Sequence, residues 1–392
     1  MISCVKCHLP DSIFKAGFVR GRQRFFCKAC DYRFVLPQTG KPPERRRAQT
    51  TIGDIARALG VAPSTVSRAL NGRTDINVNT RQAILDVARQ LDYQPNQLAL
   101  GLKNSATNTI GVVIPDIERP FFASVVSGIQ QVADEAGYQV MICQSKESYA
   151  AEVRTVRALM ASRVDGLLIC HSLETKNFDH VKPAACRGIP VVHFDRVSNE
   201  VNSSRVMIDD RGGAFAVTEH LLQQGCRRVA VLAGSESLLI NQQRVAGYRD
   251  ALQHYHVPFR EEWLCYNTFQ STLTLAALNR WLELPEPPDA IFAIRYSDAF
   301  DIMTALKRRG LRIPADMAIA GFGDEPLAGL LEPGLTTVDL HPHRIGRQAA
   351  RLFLDQVQQK ELFHPRTHVV QGNLIVRNSS LKNRDEVFKL GI

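Results

Sequence analysis

Thr51-Ile-Gly-Asp-Ile-Ala-Arg-Ala-Leu-Gly60-Val-Ala-Pro63-Ser-Thr-Val-Ser-Arg68-Ala-Leu-Asn71 decides the reading of this 392-residue chain. Ile52, Ile55, Ala56 and Leu59 recur at helical spacing, and Gly60 stops that helix. Pro63 opens a second helix at the position where a missing N–H costs nothing, and Val66, Ala69 and Leu70 form its buried side. Asn77 is a good cap for a third, which packs Ile84, Val87, Ala88 and Leu91 against the other two. The spacing predicts a helix-turn-helix over residues 51–94. Its outward face carries Pro63, Ser64, Thr65, Ser67 and Arg68. Hydroxyls there suit phosphates and bases, and a guanidinium fork suits guanine. Thr51, Asn71, Thr80 and Tyr93 complete the candidate DNA-facing set.

Charge separates a reading helix pair from a small bundle that reads nothing. Residues 1–105 hold 17 Lys/Arg against 7 Asp/Glu, whereas residues 106–392 hold 31 against 32. A basic end on a neutral body is what a polyanion binder needs, because each neutralised phosphate releases counterions. The linker at 37–50 adds Gly40-Lys41-Pro42-Pro43 and Arg45-Arg46-Arg47, a stiff and basic connection expected to track phosphates.

Ahead of it, Cys4-Val-Lys-Cys7 and Cys27-Lys-Ala-Cys30 form two Cys-x-x-Cys knuckles separated by 19 residues. Four thiolates so spaced suit a structural, tetrahedral Zn²⁺, and a zone of 36 residues has too little core to fold without such a staple. His8 is a spare donor more consistent with a surface position. The other cysteines, Cys143, Cys170, Cys186, Cys226 and Cys265, mostly sit among apolar neighbours and read as reduced, structural thiols. No stretch reaches the length of a membrane span, and the sequence opens on Cys4 and Cys7 rather than on a leader pattern, so a cytoplasmic protein is expected.

From about residue 108 short apolar runs alternate with amphipathic stretches. The first five are Thr109 to Ile114, Phe122 to Ala136, Gln139 to Ile142, Ala151 to Met160 and Asp165 to Ile169. The rhythm resumes with Arg228 to Leu232, Gln243 to His254, Ala290 to Ile294, Asp301 to Arg309 and Met317 to Gly321. Runs this apolar mean parallel strands covered on both faces, so residues 108–380 are expected to be α/β, with two doubly wound sheets. Ligands of such sheets lie beyond the carboxyl ends of the strands. Those ends are the loops at 115–122, 171–177, 195–196, 209–210, 234–244, 295–298 and 323–325.

Two resemblances add to this. Residues 51 to about 380 resemble the lactose and galactose repressor family, LacI/GalR. The likeness is carried by Asp54-Ile-Ala-x-x-Leu-Gly-Val-Ala-x-Ser-Thr-Val-Ser-Arg-Ala-Leu-Asn-Gly72 and Tyr93-Gln-Pro-Asn96. It continues through Thr109 to Asp116, Phe121-Phe122, Gly137-Tyr138, Arg163 to Gly166, Phe194-Asp-Arg196, Arg244 to Tyr248, Gly321 to Pro326 and Leu335 to Val338. Residues 1–36 resemble the zinc ribbon at the start of some insertion-sequence transposase proteins, on the basic and aromatic run Arg20-Gly-Arg-Gln-Arg-Phe-Phe26. Such a ribbon serves either as a DNA contact or as a protein-protein module.

The family resemblance implies a sequence-specific regulator, in the first instance a repressor. Its partners would be double-stranded operator DNA, a sugar or sugar derivative as effector, and a second copy of the chain, with a tetramer left open. It implies a periplasmic-binding-protein-like effector domain and a hinge helix at 95–104 that orders on DNA. In that helix Leu102 would be the minor-groove wedge beside Asn96 and Ala99. The same resemblance places Phe122, Asp195, Arg244 and Asp324 in the effector pocket. Three departures stand out. Ala62 replaces the usual Ser cap of the recognition helix, and Gly101 weakens the hinge. Arg295-Tyr296 stands where the family usually has Asn-Asp, so Tyr296 offers a hydroxyl and a ring, and Arg295 a site for an anionic or substituted ligand. The alternatives are an altered or unused pocket, or a DNA-processing protein built on the ribbon. A transporter's binding protein would need a leader and no helix-turn-helix. An enzyme would need a carboxylate cluster for Mg²⁺ that this pattern does not supply, so no catalytic residue is assigned.

Overall fold

The computed structural model describes residues 3–10, 12–19, 22–35, 50–94, 106–267, 271–359 and 364–382. The linker at 37–49 and the expected hinge, with Asn96, Ala99, Gly101 and Leu102, lie outside them. Two compact units divide the chain, Met1–Asn96 and Gln97–Ile392.

In the first unit, β1 (Ile13–Val19), β2 (Arg22–Cys27) and β3 (Tyr32–Val35) form an antiparallel sheet. Helices α1 (Ile52–Leu59), α2 (Pro63–Leu70) and α3 (Val78–Gln90) pack around Ile55, Ala56, Val66, Ala69, Ile84 and Ala88. Local chemistry sets each boundary. The Thr51 backbone N–H and hydroxyl both donate to Asp54 Oδ2, at 2.9 and 2.7 Å, which fixes the first turn of α1. Gly60, at φ 64°, ends that helix in the left-handed region where a Cβ is costly. Pro63 then starts α2 behind Ala62, whose side chain caps nothing, and Asn77 caps α3 by accepting from the Asn79 N–H at 2.9 Å. Leu91 departs from the expected core. It lies one residue past α3 and is 40% exposed, because the helix ends before its side chain can turn inward.

The second unit holds two parallel sheets. The larger runs β14-β8-β7-β6-β4-β5, built from β4 (Thr109–Ile114), β5 (Gln139–Gln144), β6 (Gly166–Ile169), β7 (Val191–Phe194), β8 (Ser204–Ile208) and β14 (Thr367–Val370). The smaller runs β10-β9-β11-β12, from β9 (Val229–Ala233), β10 (Leu264–Tyr266), β11 (Ala290–Ala293) and β12 (Ala318–Ala320). A short antiparallel pair, β13 (Thr337–Asp339) and β15 (Asn373–Ile375), adds to these. Strands β6, β7, β9, β11 and β12 are buried at every residue, as a sheet covered on both faces requires. The helices that cover them are α4 (Pro120–Glu135), α5 (Tyr149–Ala161), α6 (Lys182–Cys186), α7 (Asp210–Gln223), α8 (Leu239–His254), α9 (Ser271–Leu282), α10 (Tyr296–Arg308) and α11 (Pro342–Gln359). Among the described residues no helix is long and apolar enough to cross a membrane.

Two helices begin four or five residues earlier than their periodicity suggests. Helix α10 starts at Tyr296, five residues before the amphipathic run, because Asp298 lies in its first turn. Helix α8 starts at Leu239 behind Leu238, an N-terminus with no side-chain cap to announce it. The cysteines divide by depth: Cys170 and Cys226 are buried, Cys143 and Cys265 half-buried, and Cys186 is exposed.

Backbone approach, rather than side-chain bulk, joins α11 to α4. A Cβ on Gly346 would run into the Val125 carbonyl, and one on Gly128 into the His343 carbonyl. Gly247 stands against Arg211 in the same way where α8 crosses α7. Neither crossing tolerates even a methyl group without displacing a helix. Gly346→Ala is therefore expected to lower unfolding stability by about 1–3 kcal/mol. Urea titration of the full chain checks this, and an unchanged midpoint would contradict the close crossing.

Candidate functional site

The carboxyl ends of both sheets in the second unit open on a cleft of about 390 Å³. Phe122, Asp195, Arg244, Tyr296 and Asp324, spread over some two hundred residues of sequence, all line it. A smaller adjoining cavity of about 300 Å³ shares Asp195 and Arg196 and reaches His171, Ser172, Asp209 and Asp210. Loops at 115–122, 195–196, 234–244, 295–298 and 323–325 thus supply the larger cavity, and those at 171–177 and 209–210 the smaller.

Charge in the cleft is paired in place. Arg244 donates Nε to Asp210 Oδ1 and Nη1 to the Ile294 carbonyl, both at 2.8 Å, and its guanidinium lies 4.0 Å from the Phe322 ring centroid. Burial pushes the Asp210 carboxyl up to about 6 against the pull of Arg244. Asp324 receives Arg377 at 2.8 and 3.2 Å. Arg196 donates to both oxygens of Glu147, at 2.6 and 3.1 Å, and to the His171 carbonyl at 3.0 Å. Asp195, held at φ 58°, accepts from the Cys170 thiol at 3.5 Å. Phe122 is buried beneath the cleft with its ring edge-on to Phe121, centroids 5.1 Å apart.

Arg295 differs from the sequence expectation. Its Nε and Nη2 clasp Asp298 at 2.8 and 2.6 Å, and Asp298 also receives the Thr274 hydroxyl at 2.9 Å. The guanidinium lines the cleft with its charge already answered, so it does not mark an anion site. Beside it Tyr296 and Glu325 line the cleft close enough to influence each other's ionisation. Burial raises the pKa of both groups above its ordinary value, so they meet as neutral partners more readily than in water. Glu325, Arg119 and Asn241 line the cleft without having been picked out from sequence. Glu325 was legible in principle, since it follows Asp324 in the same strand-end loop.

Below the smaller cavity lies a buried relay. Glu152 Oε1 accepts from His171 Nδ1 and His180 Nε2, each at 2.8 Å, and Oε2 accepts from the Ser172 N–H, the Ser172 hydroxyl and the Thr175 hydroxyl at 2.6, 2.7 and 2.9 Å. Burial opposes its charge, but the histidine hydrogen bonds hold the carboxyl well below its usual range. His193 Nδ1 continues the chain, 2.9 Å from His171 Nε2, and burial drives its pKa well down. With every Glu152 lone pair engaged, the relay fixes the loop at 171–177 that walls the cavity.

In the first unit α2 presents its outer side to solvent. Pro63, Ser64, Arg68 and Asn71 are exposed, and Thr65 and Ser67 are half-buried above Val66 and Ala69. Asn71 Nδ2 donates to the Ser67 carbonyl at 2.8 Å, and Arg68 lies 3.6 Å from Asp75 in a solvent-exposed pair that duplex phosphates or bases can replace at little cost. The Thr51 hydroxyl is committed to its cap, Thr80 is half-buried, and Tyr93 packs on the three-helix core. In the preceding segment the four Sγ atoms of Cys4, Cys7, Cys27 and Cys30 lie within 4.8 Å of one another, with Cys4 to Cys30 at 3.6 Å and Cys7 to Cys27 at 3.5 Å. Burial works against ionisation of Cys4, yet the N–H groups of Cys7 and Lys6 bring its thiol down to about 6. Burial and the neighbouring thiols push Cys30 up to about 12. His8 is not among this donor group.

Comparison with known proteins gives the same division. Residues 51–96 match the bacterial regulatory proteins of the lacI family, and residues 107–378 match the periplasmic binding proteins and sugar binding domain of the LacI family. The chain is 32% identical to the ribose operon repressor of Halalkalibacterium halodurans over 84% of its own length and 97% of that protein's. It is 29% identical to the HTH-type transcriptional repressor PurR of Actinobacillus pleuropneumoniae serotype 3 (strain JL03), covering 84% and 98%. Among solved structures, a transcriptional regulator CelR-cellobiose complex aligns with TM-score 0.63 and 29% identity over 84% and 99% of the two chains. The lac repressor dimer bound to operator and the anti-inducer ONPF aligns with TM-score 0.75 over 85% and 99%, and at 24% identity it speaks for the fold alone.

Proposed function

The chain belongs to the LacI family of bacterial regulatory proteins, and from that premise we propose that it is a cytoplasmic transcriptional repressor that reads double-stranded operator DNA under the control of a small molecule bound in its cleft. One observation carries the proposal. Four residues that the family motifs assign to the effector pocket, together with Tyr296, converge on a single cavity between strand ends. The chain works as a homodimer, or as a tetramer of two such dimers, because one reading unit covers only half of a two-fold operator.

The ligand class follows from the charge pairing. Arg244 and Arg295 each hold a carboxylate and Arg119 and Arg196 share Glu147, so a phosphate would compete with carboxylates already in place. A neutral polyhydroxy ring needs no such exchange. It takes hydrogen bonds from the outer edges of the pairs and lays its apolar face on Tyr296 and Phe121, above the buried Phe122. Neutral sugars, ribose and cellobiose among them, are therefore tested beside their phosphates by thermal unfolding. At least one neutral sugar is expected to raise the melting temperature, and a rise with sugar phosphates alone would contradict the assignment.

On the DNA side, Arg68 heads the contacts of α2, with Ser64, Thr65 and Ser67 around it. Duplexes selected by the full chain from its own genome provide the operator. Arg68→Ala is expected to weaken that operator by about 1–3 kcal/mol while changing affinity for scrambled duplex less. Equal weakening of both would make Arg68 a phosphate contact only.

Residues 3–35 are proposed as a zinc ribbon. Thiolates around a tetrahedral Zn²⁺ at about 2.3 Å lie about 3.8 Å apart, close to the 3.5 and 3.6 Å spacings of the two cross-knuckle pairs. Phe25 and Phe34, rings 5.9 Å apart, are the aromatic part of the small core beside the thiols, too little to hold the segment without a metal. Metal analysis is expected to give one zinc per chain and none in Cys27→Ser/Cys30→Ser. Chelation should abolish order in this segment and leave the main unfolding transition in place, whereas a wild-type chain without zinc would end the proposal.

A further inference from the structure

The sheet of residues 13–35 has two faces of different chemistry. Its register sets Phe25 opposite Phe34 on the side of the four thiols, and both rings are buried there, 8% and 6% exposed. The adjacent cross-strand row, Phe14 with Phe26 and Phe26 with Arg33, faces the other way by the alternation of side chains along a strand. Among the described residues nothing in this segment covers that outer row. Phe14 is 56% exposed, Phe26 is half-buried, and Arg33 is exposed with its guanidinium 5.7 Å from the Phe26 ring centroid. Arg24, two residues before Phe26, shares the face and donates Nε to the Ala16 carbonyl at 3.2 Å.

We propose that this outer face, Phe14, Phe26, Arg24 and Arg33, is a binding surface for single-stranded DNA. Rings on an open antiparallel sheet, with arginines between and beside them, offer what an unpaired strand needs: flat faces for bases to stack on and cations for its phosphates. Residues 1–36 carry seven Lys/Arg against two Asp/Glu, so the surroundings favour a polyanion over a protein surface of mixed charge. Duplex DNA keeps its base faces stacked inside the helix and shows only their edges, which α2 suits and this face does not. Neither family match reaches residues 1–50, so the surface is an addition to the family's duplex-reading unit. It would engage DNA whose strands have separated near the bound operator.

The test uses the zinc-replete full chain and fluorescence anisotropy with a labelled oligo(dT) of roughly 20 nucleotides, an oligo(U) and a scrambled duplex of equal length. Wild type is expected to bind oligo(dT). Phe14→Ala/Phe26→Ala should weaken oligo(dT) at least about tenfold and move duplex affinity less than about twofold. Arg24→Ala/Arg33→Ala should also weaken oligo(dT), and it decides the matter if the aromatic variant loses its zinc. Wild-type affinity for oligo(dT) in both variants overturns the proposal and turns the face over to a protein partner. Equal loss of single strand and duplex also overturns it, and tighter binding of oligo(U) than of oligo(dT) overturns the assignment to DNA.

Discussion

A parallel sheet covered on both faces drives most polar side chains to the loops at its strand ends, and the cleft depends on that constraint at the carboxyl ends. Strands β6, β9 and β11 are wholly apolar because they are buried on both sides, and β7 breaks the pattern only at His193, which bonds to His171. The first residues past them are Cys170 and His171, Asp195 and Arg196, Gly234, and Ile294 and Arg295. The abrupt change from apolar strand to charged loop creates the site, and two sheets whose strand ends share one cavity supply it from both sides.

Burial then dictates the chemistry of that cavity. An unpaired guanidinium or carboxylate there would be costly, so Arg244 is matched by Asp210, Arg295 by Asp298, Arg377 by Asp324 and Arg196 by Glu147. The pairs stiffen the walls and leave a polar lining whose arginines are already engaged by carboxylates. The Glu152 relay does the same beneath, spending three histidines and two hydroxyl side chains to seat one carboxylate. A pocket of this kind selects by hydrogen-bond geometry and ring shape more than by net charge.

How much could be read from sequence follows the range of the interactions. The helix-turn-helix was legible because its signals are local: Gly60 and Pro63 punctuate it, and Ile55, Val66, Ala69 and Ile84 keep helical period. The long apolar strands were legible for the same reason. Strands β13, β14 and β15 were not, being three or four residues long with mixed polarity and held by partners far away in the chain. The cleft residues were found through family motifs, but their commitments were hidden. Nothing near Asp324 announces Arg377, 53 positions on, and the Arg295 clasp depends on where the first turn of α10 aims Asp298. Leu91 failed in the opposite sense, since helical period continued on paper after the helix itself had stopped.

The duplex-reading helices and the cleft lie in different units, so regulation requires that a cleft ligand distinguish two states of the chain and that DNA distinguish the same two. Reciprocal coupling tests this most directly. Operator affinity is measured with and without a neutral sugar that binds the cleft, and sugar affinity with and without operator. The two ratios are expected to be equal and to lie between about 5-fold and 150-fold. A sugar that binds in the cleft, fails to bind Arg244→Ala, and leaves operator affinity unchanged would contradict it.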